Sequence, residues 1–171
     1  MILAACLWGQ KAPERNFDIE ELLIEASDLP DGWWEERPPA PPLQVDGEIV
    51  ASDSIKVIFL ANESPREVID HRVYRFRYTN TADKEYKNQL GIWHSNPALE
   101  PPEALPYQSE AAESSVFVCG NISGSESCHF MGVYQEFLVI LNINMRGSLN
   151  FSGLEKVLKT IDDKMKTHLD L

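Results

Sequence analysis

The spacing of apolar residues changes several times along this chain, and each change predicts an element. In NFDIEELLIEASDLPDGWW, Ile19, Leu22, Leu23 and Ala26 fall on one helical stripe. Asp18 stands where a cap belongs, Phe17 is placed to staple the first turn, and Glu20 and Glu21 sit where the helix dipole favours acid. Pro30 stops that helix and Asp31-Gly32 turns the chain. The prolines of RPPAPP then predict an extended, polyproline-like connector. SIKVIFLA, residues 54–61, reads as a buried strand. In IDHRVYRFRYTN the period becomes two. Arg72, Tyr74, Phe76 and Tyr78 share one face and His71, Val73, Arg75 and Arg77 the other, with the aromatic face expected on the core side.

Helical spacing returns in NTADKEYKNQL, where Ala82, Tyr86 and Leu90, with Gln89, form an inner stripe and Thr79, Asn80 or Thr81 is available as a cap. Residues 93–113 are rich in Pro and Glu and predict a long loop, the first place to look for a binding edge. Strands follow on both sides of GNISGSES, then a third from about Phe137 to Met145, apolar on both faces from Leu138 to Leu141. The last segment carries Ser152-Gly153-Leu154-Glu155 at capping-box spacing. Leu154, Val157, Leu158, Ile161, Met165 and Leu169 lie on one stripe behind it. These elements predict an α+β fold: an antiparallel sheet with helices packed on one face, including a C-terminal amphipathic helix. Residues 1–16 are expected to be leader and tether, and residues 17–171 a single α+β domain.

Charge narrows the partners. The 171 residues carry a formal net charge of −12, which repels phosphate backbones and makes nucleic acid an unfavourable partner. The same charge disfavours an anionic lipid surface unless an anchor holds the chain there.

The cysteines narrow the compartment. If Cys119 and Cys128 face each other across a hairpin, Phe117 falls opposite Phe130 on one side and Val116 opposite Met131 on the other. One register then satisfies the thiols and the apolar pairing together. The pair is a disulfide, which needs an oxidising compartment, or a reduced buried pair. A metal site is the weaker reading, since His129 is the sole further ligand type nearby. No metal or other cofactor is expected.

Cys6 is the thiol left over. Leu3-Ala4-Ala5-Cys6 resembles the bacterial lipobox, in which Leu and two small residues precede an acylated cysteine. Only Met1 and Ile2 stand before it, where a working signal has a basic start and about 7–15 apolar residues. Either the true start lies upstream, or the chain is truncated, or the match is chance and Cys6 is an ordinary residue of a short apolar beginning. With the phrase Leu29-Pro30-Asp31-Gly32-Trp33 and the order of elements, the chain is similar to small bacterial lipoproteins of unknown function. That resemblance implies a domain tethered at the extracytoplasmic face of the cell membrane by lipid on Cys6. It supplies no catalytic residues.

The sequence shows little chemistry of its own. His71, His94, His129 and His168 stand in no nucleophile-elbow or zinc-protease context, and no glycine loop cradles a phosphate. Glu35-Glu36 and Asp162-Asp163 read as solvated charge, because adjacent side chains point apart. Two groups are candidate contacts. His71, Arg75 and Arg77 either hold an anion jointly or pair with the chain's own acids. Trp33 and Trp34, with Trp93 and Tyr107 in loops, either form an aromatic platform for sugar or peptide or close over a core edge. The expected function is a non-enzymatic ligand-binding or sensory module with an unknown small-molecule or protein partner. The alternatives are an extracytoplasmic hydrolase with a scattered site and a structural accessory of an envelope complex.

Overall fold

The computed structural model describes residues 10–42, 49–61, 66–102, 107–122, 124–145 and 149–171. Six strands make one antiparallel sheet: β1 (Trp33–Ala40), β2 (Asp53–Ala61), β3 (Glu67–Arg75), β4 (Ser114–Ile122), β5 (Ser125–Tyr134) and β6 (Phe137–Met145). Their spatial order is β1-β2-β3-β6-β5-β4. Two α-helices, α1 (Thr79–His94) and α2 (Phe151–Leu169), complete the α+β fold, with short 3₁₀ turns at Ile19–Leu22 and Ala26–Asp28.

The hairpin register is the one the cysteines require. Cys119 pairs with Cys128, Phe117 with Phe130 and Val116 with Met131, and the sulfurs of Cys119 and Cys128 are bonded. Both strands run further toward the turn than the polar GNISGSES segment suggests. Gly124 takes a positive φ of 80° beyond Ile122, and its N–H donates to the Asn121 side chain at 3.0 Å.

The two α-helices lie on opposite faces, not on one. The first face carries a row Val57–His71–Leu141–Phe130–Phe117 across five strands. Its core is closed by α2 through Leu154, Val157, Leu158, Ile161, Met165 and Leu169, and by Ile19, Leu22, Leu23 and Ile24. The second face places Tyr74, Leu138, Ile140, Met131 and Val133 against Ala82 and Tyr86 of α1. β3 is therefore a central strand covered on both sides. Ile69, His71 and Val73 are as buried as Tyr74 and Phe76, so the aromatic side is not the sole core side.

Three local expectations change. The first helix shortens to a 3₁₀ turn, capped at its start: the Asp18 side chain accepts from the Glu20 N–H at 3.3 Å and the Glu21 side chain from the Asp18 N–H at 2.8 Å. The proline run is not a free connector: Pro38 and Pro39 belong to β1, an edge strand where a missing N–H costs no ladder bond. α2 is capped by Asn150, whose side chain accepts from the Gly153 N–H at 2.9 Å, rather than by Ser152.

Residues 10–16, expected to be tether, lie along the domain. Ala12 N–H donates to the Arg77 carbonyl at 2.9 Å and Thr79 N–H to the Gln10 carbonyl at 3.2 Å.

Candidate functional site

Two of the several surface concavities, together with one buried carboxylate cluster, bring candidate residues and other polar groups together. The larger concavity, about 500 Å³, lies where residues 11–15 cross the end of β3 and is lined by Lys11, Arg15, Asp53, Arg75 and Arg77 among others. It contains two of the three expected anion-binding residues. The charge of Arg75, like that of its neighbour Arg15, is largely spent inside the protein. Arg15 forms a bidentate pair with Glu136 at 2.8 Å through both contacts, and that carboxylate is fully buried. Arg75 lies 3.6 Å from the same carboxylate, donates to the Pro13 carbonyl at 2.8 Å and sits over the Phe137 ring. The Glu136 carboxylate holds the Arg15 guanidinium pKa above its usual value. Arg77 is exposed beyond the strand end.

His71 is not part of that group. It is fully buried on the first face, where its Nδ1 accepts from the Ile24 N–H at 3.2 Å. Burial, reinforced by the Lys164 charge, drives its pKa from 6.5 down to about 3. The imidazole is a neutral core group that ties the Ile24 turn to β3.

The four aromatic candidates are also dispersed. Trp33 is buried in the first core and Trp34 is exposed on the edge strand. Tyr107 reaches α2 on the first face, whereas Trp93 ends α1 on the second.

Tyr107 belongs to a cluster the sequence reading missed. Asp162 is fully buried, not solvated. Its carboxylate accepts from Tyr134 Oη at 2.6 Å, Tyr107 Oη at 2.8 Å, Ser109 Oγ at 2.8 and 2.9 Å, and Glu110 N–H at 3.2 Å. Burial, then the Asp162 charge, raises both phenol pKa values, so the two tyrosines stay protonated donors. The signal was present in the sequence. Asp162 stands on the same stripe as Leu158, Met165 and Leu169, an acid where the helix is otherwise apolar. Asp163 is exposed and pairs with Lys159 one turn back.

The second concavity is a recess of about 190 Å³ on the second face, beside the last turn of α1. Arg72, Gln89, Trp93 and Asn142 line it together with Ile49 and Tyr74. Arg72 clamps Asp70 through Nε at 2.8 Å and Nη2 at 2.7 Å. Trp93 packs on the His129 ring at 5.6 Å between centroids, and His129 Nδ1 shares a hydrogen bond with Asn142 Oδ1 at 2.8 Å. The loop after α1 covers the neighbouring edge, where Glu100 and Cys119 exchange backbone hydrogen bonds at 2.9 and 2.8 Å.

Among the described residues no group of three His, Cys, Asp or Glu is placed to hold a metal ion, and no helix is long and apolar enough to cross a membrane. Cys6 and its lipobox-like neighbours lie outside the described residues. No protein-family model matches the chain, and no curated protein or solved structure matches it.

Proposed function

We propose that the chain is a non-enzymatic binding or sensory domain held by lipid on Cys6 at the extracytoplasmic face of a bacterial membrane. The observation that carries this reading is the Cys119–Cys128 bond, because such bonds persist in oxidising compartments. Export past the cytosol accounts for that bond and for the lipobox-like Leu3-Ala4-Ala5-Cys6 together. The docking of residues 10–16 adds to it. A segment as short as that from Cys6 to Gln10 spans at most about 14 Å, so an anchored domain would stand close to the headgroups. The non-enzymatic part rests on how the buried ionisable groups are used. Asp162 is saturated by donors and Glu136 by arginine, while His71 accepts a backbone N–H at Nδ1 and leaves Nε2 enclosed in the core, facing no concavity among the described residues.

The test is expression of the chain behind its own upstream coding segment in bacteria, with mass spectrometry of the amino-terminal peptide and fractionation of membranes. Acylated Cys6, membrane retention lost in Cys6→Ser, and two cysteines that resist alkylation until reduced are expected. A free, unmodified terminus with three alkylatable thiols refutes the proposal.

A further inference from the structure

Resting on the reading of the chain as a binding domain, we propose that the recess beside Trp93 takes a neutral polyhydroxyl ligand, a single sugar ring. Size comes first. At about 190 Å³ the recess is smaller than the ~300–1,000 Å³ pockets that enclose drug-sized molecules, so it suits one ring.

Charge comes second. Arg72 is the cation in the lining, and two of its nitrogens are already committed to Asp70. An anionic ligand would meet a guanidinium whose charge is neutralised, and a cationic ligand would meet a carboxylate in the same condition. The remaining polar lining residues, Tyr74, Gln89 and Asn142, are uncharged amides and a phenol.

Hydrogen-bond sense comes third. Gln89 spends its amide N–H on Glu85 at 2.8 Å, which leaves its carbonyl oxygen as the acceptor end. Asn142 engages His129 through Oδ1, which leaves its NH₂ as the donor end. A donor and an acceptor therefore line the same recess. A hydroxyl both donates and accepts, so adjacent hydroxyls fit the pair where a carboxylate, all acceptor, does not.

The indole supplies the apolar contact. Trp93 is half-buried, is backed by His129, and has the exposed Ile92 (53%) beside it. The C–H face of a sugar ring packs on such a surface while its hydroxyls reach the amides.

The experiment titrates the full chain with glucose, N-acetylglucosamine and maltose, and with glucuronate and inorganic phosphate as charged probes. Tryptophan fluorescence and saturation-transfer NMR are the readouts. Saturable binding of at least one neutral sugar is expected, weakened roughly tenfold or more by Gln89→Leu and by Trp93→Ala, and less by Trp93→Phe. Gln89 is half-buried on a helix surface and Leu is a good helix former, so Gln89→Leu decides the matter if Trp93→Ala does not fold. No binding of a neutral sugar up to about 0.1 M, or tighter binding of the charged probes, overturns the proposal. Sugar binding that Gln89→Leu leaves intact overturns the recess while keeping the binding domain. Binding by a chain that proves to be unacylated overturns the anchor alone.

Discussion

Truncating Asp162 to alanine should separate a structural carboxylate from a solvated one. The side chain is fully buried and receives four donor groups, three of them from residues 107–110 and one from Tyr134 on β5. Without the carboxylate the loop donors can lift away into water, but Tyr134 cannot, because its ring is fully enclosed. An unsatisfied buried hydroxyl costs about 1–3 kcal/mol, and a hydrogen bond to a charged group contributes about 1.5–3 kcal/mol net. The carboxylate's own desolvation, relieved in the variant, offsets part of this. The balance is a loss of about 3–4 kcal/mol, which for a chain of this size lowers Tm by about 6–16 °C. Urea unfolding measures the loss. Amide exchange should quicken at Glu110, which donates to Asp162, and at Ala112, which donates to Ser109 Oγ at 2.9 Å. Asp163→Asn is the control: that group is exposed and its pair with Lys159 contributes well under about 1 kcal/mol. A loss below about 1 kcal/mol in Asp162→Ala, or unchanged exchange at both amides, would refute the reasoning.

Two further perturbations probe other contacts. His71 is held neutral in the fold with its pKa lowered from 6.5 to about 3, while the unfolded chain protonates it. Its contribution is therefore full above pH 6.5 and is lost as pH falls toward 3, at up to about 1.4 kcal/mol per pH unit. His71→Asn keeps an acceptor for the Ile24 N–H and should flatten the acid limb of a stability–pH profile; an unaltered slope would assign the acid sensitivity elsewhere. Gly120→Ala would put a Cβ 1.7 Å from the Ala98 carbonyl oxygen, a backbone atom that cannot swing aside. The variant should lose about 2–3 kcal/mol and expose the Glu100 and Cys119 amides to exchange, and wild-type protection there would contradict the contact.

What the sequence made legible follows from how strictly each pattern constrains the chain. The β4–β5 register could be read because a one-residue slip separates the cysteines and turns every apolar residue to the wrong face. The α2 stripe could be read because a long surface helix has one apolar side. β1 was misread because prolines oppose a central strand but not an edge, and edge or centre is settled only by the whole sheet. The 3₁₀ turn at Ile19–Leu22 was misread because tertiary contacts decide whether a short capped segment extends. Here Leu22, Leu23 and Ile24 are all buried at once, which no single helical stripe allows.

The site residues were harder for a different reason. The period of two in His71, Arg75 and Arg77 says which side a strand would turn them to, but not that the strand ends at Arg75 nor what covers each side chain. The answer depends on residues far away: Glu136 for Arg75, and Ile24 for His71. Asp162 could have been found, since an acid on an apolar stripe demands donors. Which donors they would be, Tyr107, Ser109 and Tyr134, needed the fold.

The polar recess has its origin in the arithmetic of coverage. Six strands about 4.8 Å apart make a sheet roughly 24 Å wide, while one helix shields about 10–12 Å of it. On the first face α2 shares the work with the buried residues around Ile19–Leu22. On the second face α1 packs against β5 and β6 and leaves β2 and β3 less covered. The composition of that face follows. Its end beneath α1 carries Tyr74, Leu138 and Val133, whereas the next rows mix polar and apolar residues: Lys56 and Arg72 beside Ile140 and Met131, and Asp70, Asn142 and His129 between Ile58 and Val118. Toward β3, which α1 leaves less covered, an ion pair and an amide stand at positions where apolar side chains would have been left in water. Trp93 is placed at the seam because it belongs to the final turn of α1, where the helix ends over the mixed rows. An aromatic surface meeting uncharged hydrogen-bonding groups is thus built into the mismatch between one helix and a six-stranded face. A substitution that lengthened the cover, rather than one that altered the core, is what would close it.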